Sequence, residues 1–500
     1  MKRDEFDLVV LGGGTAGLIS AAVAGYLGAR TALIEENRLG GDCLNSGCVP
    51  SKALIRGARG NEELRWLQKE RLLTTDLLPG SGVSFTPVME RMRKIRSEIA
   101  LHDSPERFRE EFGVTVFEDH GEFTAGNRIT LAREHREIIF RRCIIATGAG
   151  TAIPPIPGLN EVSYLTNETL FELHELPERL VILGAGPIGC EMAQALASLG
   201  SSVTLIDAAP RILPREDADV AELMAQHLQD AGVTLHTAVA VTNVARGTSE
   251  DPVIVTLGGA AGNGARETAV QLSVTGSHLL LATGRVPRVE NLGLDLAGVR
   301  CTTPPDPGRI AVDSYLRTAN RRIFAAGDVA VPWQFTHAAE ATAAIAVQNA
   351  LFFPSVRTTR VLIPRCTYTT PEIAHAGLTA DEAEAQGIAV DRYTHSFSAV
   401  DRARIDGTTD GFVRLITKRK SPHLLGATVV GPHAGEIITT ITLAMRHRLG
   451  IRALGSLVYP YPTLGEAVKR AAAGYTKGKF TDRRKRLLQW YWRIQRVLSR

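Results

Sequence analysis

An α/β fold with two Rossmann-like dinucleotide-binding domains is predicted by three features of this 500-residue sequence. A glycine-rich turn lies between an apolar run and an Ala-rich stretch near the N-terminus, and the pattern returns near residue 184. Each turn is followed, about twenty residues later, by a carboxylate closing a second apolar run, the spacing of a dinucleotide site. Two further apolar runs stop abruptly at Thr-Gly.

Length and composition set the frame. The chain can form two to four domains, and 44% hydrophobic with 22% charged residues is globular usage rather than disorder. MKRDEF runs straight into DLVVLG without the apolar stretch and cleavage site of a secretory signal, so export is not expected. No run of about 18 apolar residues occurs, which argues against a membrane-spanning helix and for a cytoplasmic protein. Six cysteines are too few for a disulfide scaffold, and in a reducing compartment a deliberate pair is catalytic before it is structural. The net charge of +4 is concentrated at the end: residues 481–500 carry seven Lys/Arg against one Asp, leaving −2 for the other 480. A nucleic-acid partner is therefore not expected.

The elements follow in order. FDLVVL (6–11) reads as a buried parallel strand leading into Gly12-Gly13-Gly14-Thr15-Ala16-Gly17 and a helix ending near Gly28-Ala29. Gly12 permits the tight turn, Gly14 lets backbone approach a pyrophosphate, and Gly17 lets helix and strand close, with the helix N-terminus facing the phosphates. TALIEE then places Glu35 where a ribose can donate to it. LVILG leads in the same way into Gly184-Ala185-Gly186-Pro187-Ile188-Gly189, and SVTLID closes on Asp207. CIIATGAG (143–150) and LLLATGRVP (279–287) read as crossovers between the two nucleotide domains. IFAAGDVA (323–330) delivers Asp328 at a strand C-terminus, either as a ligand-binding group or as a helix cap.

Directly after the first two strands comes Gly40-Gly41-Asp42-Cys43-Leu44-Asn45-Ser46-Gly47-Cys48-Val49-Pro50-Ser51-Lys52, with Pro50 and SKALI announcing a helix. Both cysteines are expected at that helix N-terminus, where amide dipoles and Lys52 favour thiolates. No second ligand pair follows at zinc spacing, so redox chemistry explains Cys43 and Cys48 better than a metal half-site, and no resident metal is expected. Cys143, Cys190, Cys301 and Cys366 have no partner at a useful spacing and read as packing residues.

GGDCLNSGCVPSK, flanked by two dinucleotide motifs and the ATG, ATGR and AAGD segments, resembles the flavin-dependent pyridine nucleotide-disulfide oxidoreductases over residues 5 to about 475. That family includes dihydrolipoamide dehydrogenase, glutathione reductase and mercuric reductase. The resemblance implies an FAD-binding domain over 1–150 and 285–350, an NAD(P)-binding domain over 151–284, and an α+β dimerisation domain over 355–475 that makes a homodimer. It implies that Gly12, Gly14, Gly17, Glu35, Lys52, Thr147, Gly148, Gly327 and Asp328 hold FAD, Asp328 through the ribityl chain. Gly184, Gly186, Gly189, Asp207 and Gly284 would hold NADH or NADPH: Asp207 repels a 2′-phosphate, while Arg211 and Arg215 leave NADPH open. By the same resemblance Cys48 is the flavin-proximal cysteine and Cys43 the exchange thiol. Lys52 and Glu191 resemble the ion pair beside the flavin, with an ordinary helix–helix salt bridge as the alternative.

Disulfide-reducing members carry an H-P-T-x-x-E segment whose His and Glu act across the subunit boundary. Here it reads Tyr461-Pro462-Thr463-Leu464-Gly465-Glu466. Tyrosine, with a reference pKa of about 10, does not cycle a proton at neutral pH, so turnover of lipoamide or glutathione should suffer. Mercuric reductase is similar in carrying tyrosine there, which suits a soft metal ion bound by thiolates. The other reading of Tyr461 is an interface aromatic. Against mercury itself stand the lack of a vicinal cysteine pair near residue 500 and of an N-terminal metal-binding domain; another metal ion, a quinone, a small disulfide and dioxygen stay open as acceptors.

The basic tail, 481–500, reads as an amphipathic helix over 483–500. Leu487, Tyr491, Ile494 and Leu498 form one stripe and Gln489, Arg493, Arg496 and Arg500 another, with Trp490 and Trp492 beside the apolar side. This is the composition of a segment in an anionic membrane interface, on the inner face of the membrane for a cytoplasmic protein; a terminal helix packed on its own dimer, or frayed, is the alternative.

Overall fold

Leu8, Val9, Val10 and Leu11 have no polar alternation, and in the computed structural model, which describes residues 2–73, 82–258, 272–304, 308–478 and 482–499, all four are buried. Their strand, Lys2–Leu11, is accordingly central. It lies parallel to Thr31–Ile34 on one side and to Arg136–Ile145 on the other, and Thr115–Phe117 extends the first side. The far edge of Arg136–Ile145 is shared: its first half pairs antiparallel with Arg128–Leu131, and its last three residues pair parallel with Ile323–Ala325. Gly121–Ala125 completes a seven-stranded sheet.

The helix after the first glycine turn, Thr15–Tyr26, buries Ala16, Ala21 and Ala24, and packs on Thr336–Leu351, which is equally rich in buried alanine. Small side chains let these helices approach each other closely. Gly28, at φ +84°, releases the chain from the first of them at the position expected.

The second glycine-turn segment repeats the plan with four parallel strands in the order Thr234–His236, Ser202–Ile206, Arg179–Leu183, His278–Leu281. Its helix Pro187–Ser198 starts on proline, whose missing N–H would be unpaired there in any case. The two Thr-Gly ends meet: Ala149–Thr151 and Arg285–Pro287 form a short antiparallel ladder, Thr147 Oγ1 donates to the Arg288 carbonyl (2.7 Å), and Thr283 Oγ1 donates to the Ala152 carbonyl (2.6 Å).

The chain separates into two compact units, residues 1–213 with 228–361, and 214–227 with 362–500. Both nucleotide-type sheets belong to the first. The other holds a five-stranded antiparallel sheet, ordered Arg365–Thr367, Glu372–Gly377, Leu424–Gly431, Phe412–Lys418, Val390–Ser396. Helix Ala434–Arg446 covers it with Ile437, Ile438 and Ile441. Segment 214–227 belongs to this unit because Arg414, a nearly buried guanidinium on the sheet, pairs with Asp217 (2.9 Å) and Asp219.

Two expectations are corrected. Cys48 opens helix Cys48–Lys69, but Cys43 sits in a separate one-turn helix, Gly41–Asn45, because Gly40 and Gly41 both take positive φ and Ser46-Gly47 break the path between them. Cys143 and Cys190 are core residues, whereas Cys301 and Cys366 are only half-buried at the margins of their cores. Among the described residues no helix is long and apolar enough to cross a membrane.

Candidate active site

The glycine turns have the shape an anion needs. A Cβ on Gly17 would stand 1.8 Å from the Gly12 carbonyl oxygen, and one on Gly189 would stand 1.9 Å from that of Gly184, so both are packing glycines. A Cβ on Gly186 meets nothing within 4 Å and one on Gly14 only the Gly41 Cα at 3.7 Å, which leaves bare backbone toward open space. Gly14 and Gly186 cap their helices without any side-chain acceptor, so first-turn N–H groups are available to a pyrophosphate. The acids complete both turns identically: Glu35 accepts from Gly13 N (2.5 Å) and Asn37 N (2.8 Å), Asp207 from Ala185 N (2.5 Å) and Ala209 N (2.7 Å). These cradles fit two dinucleotides, FAD and a nicotinamide coenzyme. Gly17→Ala should act through backbone clash: destabilisation at or above the upper end of about 1–3 kcal/mol for overpacking, read as a lower Tm and loss of the flavin spectrum after purification.

Both cysteines are free thiols; Cys48 is exposed and Cys43 half-buried. The Cys43 thiol donates to Cys48, and chiefly for that reason Cys48 is lowered to about 6, with the Thr336 hydroxyl at 3.2 Å and the Lys52 charge acting the same way. Cys43 is pushed up, as the proton donor in that contact and by burial. The pair thus has one thiolate and one thiol near neutrality, and Cys48 is the thiolate. An exchange role for Cys43 rests on the resemblance, since Cys48 is the more exposed residue of the two.

One turn after Cys48, Lys52 Nζ meets Glu191 Oε2 at 2.6 Å. The carboxylate side chain is 5% exposed and the lysine 34%. Glu191 is held there by helix Pro187–Ser198, packed on helix Cys48–Lys69, so the pair joins the second glycine turn to the cysteine helix.

Four residues that motif reading did not single out complete the site. Asp42 accepts from Ser46 Oγ (2.7 Å), Asn167 Nδ2 (2.7 Å) and Arg285 Nη1 (2.5 Å). Arg285 also donates to the Ala149 carbonyl (3.0 Å) and faces Asp328 at 3.4 Å. Burial raises the Asp328 carboxyl, and Arg285 works against that. Thr336, the fourth, opens its helix against Cys48. A charge inside GGDC and another inside ATGR were the available signals for Asp42 and Arg285; Asn167 and Thr336 carry none. Arg285 joins Gly284 and Asp328 to the cysteine loop, while Gly148 and Gly327 take positive φ at their strand ends.

Tyr461 and Glu466 lie in the second unit. Tyr461 is 70% exposed and its hydroxyl donates to Asp401 Oδ2 at 3.0 Å, which raises the phenol above its ordinary range. Glu466 opens helix Glu466–Lys477 and pairs with Arg470 at 2.6 Å. Among the described residues no cluster of three or more His, Cys, Asp or Glu is arranged to hold a metal ion.

Residues 6–344 match the pyridine nucleotide-disulphide oxidoreductase family, and residues 363–472 match the dimerisation domain of pyridine nucleotide-disulphide oxidoreductases. A mercuric reductase of Bacillus cereus is 33% identical over 473 residues, covering 95% of this chain and 72% of its own. A dihydrolipoyl dehydrogenase of Bacillus subtilis is 30% identical, covering 94% and 97%. Among solved structures, the Cu(II) complex of the HOCl-induced flavoprotein disulfide reductase RclA from Escherichia coli aligns with a TM-score of 0.81 at 27% identity, over 94% of this chain and 99% of that one. The chain, with its two glycine cradles, its cysteine pair and its C-terminal antiparallel sheet, belongs to the pyridine nucleotide-disulphide oxidoreductase family, whose members use FAD and NAD(P)H.

Proposed function

We propose that this chain is a homodimeric NAD(P)H oxidoreductase that passes electrons through Cys43 and Cys48 to a soft metal ion. The observation that carries the choice of acceptor is Tyr461. In the dithiol form Cys48 is a thiolate and Cys43 holds the shared proton. An organic disulfide acceptor needs a proton for each leaving thiol, and Tyr461, anchored on Asp401 and raised further from neutrality, is poorly suited to supply it. A metal ion needs sulfur donors and no such proton. The mercuric reductases among the relatives, and the copper named with RclA, support the same reading.

Bound FAD would take a hydride equivalent from the nicotinamide coenzyme and supply the electron pair to this site. The chain's own residues set the conditions. Gly12, Gly14 and Gly17 with Glu35 bind one dinucleotide; Gly184, Gly186 and Gly189 with Asp207 bind the other, and the Asp207 charge favours NADH. Lys52 holds positive charge beside Cys48, and Glu191 keeps that lysine in place. Arg285 links the cysteine loop to Asp328.

Anaerobic titration with NADH and with NADPH, followed by acceptor assays, tests this. NADH is expected to generate a long-wavelength thiolate band at two electrons, and Hg²⁺ or Cu²⁺ to reoxidise the protein faster than lipoamide or glutathione disulfide. Lipoamide turnover at a rate equal to that with the metal ions would replace this reading with a dihydrolipoyl dehydrogenase-type activity, which the Bacillus subtilis relative makes the second candidate.

A further inference from the structure

Helix Asp482–Leu498 contains no buried residue: Trp490 is 63% exposed, Trp492 57%, and Val497 and Leu498 75% each. Seventeen residues make a rod about 25 Å long, and a helix of this length without packing is marginal in water. Leu487, Tyr491, Ile494 and Leu498 recur at steps of four and three, so they share one side, with Trp490 and Val497 next to them. Lys485, Arg486, Arg493 and Arg496 fall on the opposite side, and no acidic residue follows Asp482.

We propose that this helix is a peripheral docking element that lays its apolar side into an anionic lipid surface. Charge selects the occupant. A second copy of the helix would bring a +5 segment, six Lys/Arg less one Asp, against another of the same charge, whereas lipid phosphates neutralise it. The match to the family's dimerisation domain ends at residue 472, ahead of this helix. Lys and Arg stems reach past the apolar face to the headgroups, and the tryptophans suit the boundary between chain and headgroup. The helix is too short and too charged to span, so it lies in the plane of the surface. The inference is independent of the acceptor.

Co-sedimentation of the full-length, FAD-loaded protein with vesicles is the test. Binding is expected to phosphatidylcholine vesicles containing phosphatidylglycerol and not to phosphatidylcholine alone, weakening with salt, with a blue shift of tryptophan emission. A chain ending at Gly478 should lose it. Arg493→Glu with Arg496→Glu should lower partitioning at least about tenfold, given the per-cation attraction of such surfaces, and Ile494→Asp should weaken it while leaving the cations in place. Retained flavin absorbance and unchanged thermal melting exclude misfolding. Equal binding by the shortened chain would overturn the proposal. So would charge-independent binding, and so would a drop in oligomer size on shortening with no vesicle binding at all, which would make a second copy the occupant.

Discussion

Cys48→Ala is expected to lower NADH-driven reduction of a soft metal ion by at least about a hundredfold, the scale on which loss of one member of a catalytic unit is read in kcat. The long-wavelength band should disappear while the bound flavin spectrum stays. Cys43→Ala should lower turnover comparably but keep the band at a pH high enough to hold Cys48 as the thiolate beside Lys52, whose charge still favours it. The two variants therefore separate the roles of the sulfurs, which accessibility alone does not. A pH series sharpens the assignment. The Cys48 thiol is depressed, so its nucleophilic form persists as pH falls and is lost only through about 6. Iodoacetamide labelling of Cys48 in Cys43→Ala should lose that advantage and shift its midpoint upward, because the Cys43 proton is the largest cause of the depression. An unmoved midpoint would mean that Thr336 and Lys52 suffice.

Lys52→Met should destabilise the fold, because it leaves the Glu191 carboxylate, 5% exposed, without the ammonium 2.6 Å away. Breaking a fully buried pair removes about 3–5 kcal/mol; Lys52 is one-third exposed, so about 2–3 kcal/mol is expected here. Urea denaturation of the FAD-loaded protein measures it. Glu191→Gln should cost less, since the amide retains a hydrogen-bond acceptor for the lysine. Lys52→Met combined with Glu191→Leu should recover part of the loss, as apolar replacement of a buried pair often does. Additive losses in the double variant would mean that the two side chains are stabilised separately.

Much of this site was written in local pattern. Each glycine turn announced itself because tight turn, bare backbone and helix contact are needs of neighbouring residues, and only glycine meets all three within six positions. The cysteine pair was visible for the same reason, although Gly40 and Gly41 put Cys43 on its own short helix rather than on the long one. The tail's two stripes were legible from helical spacing.

Partnerships across the chain were not legible in that way. Lys52 and Glu191, 139 residues apart, were paired only through the family resemblance, while Asp42 finds Arg285 across 243 and Cys48 finds Thr336 across 288 with no sequence signal for either pairing. Each depends on which strand lies beside which: Ile323–Ala325 returning to the edge of Arg136–Ile145, and the two Thr-Gly ends closing on each other, bring these segments together. The sequence by itself determined the two nucleotide cradles and the presence of a reactive thiol pair, because backbone conformation and helix amphipathicity are decided within one or two turns. Only the tertiary structure decided which thiol is the thiolate, which charges surround it, and that the tail helix buries none of its described residues, because proton sharing, ion pairing and burial depend on distances that sequence separation does not encode.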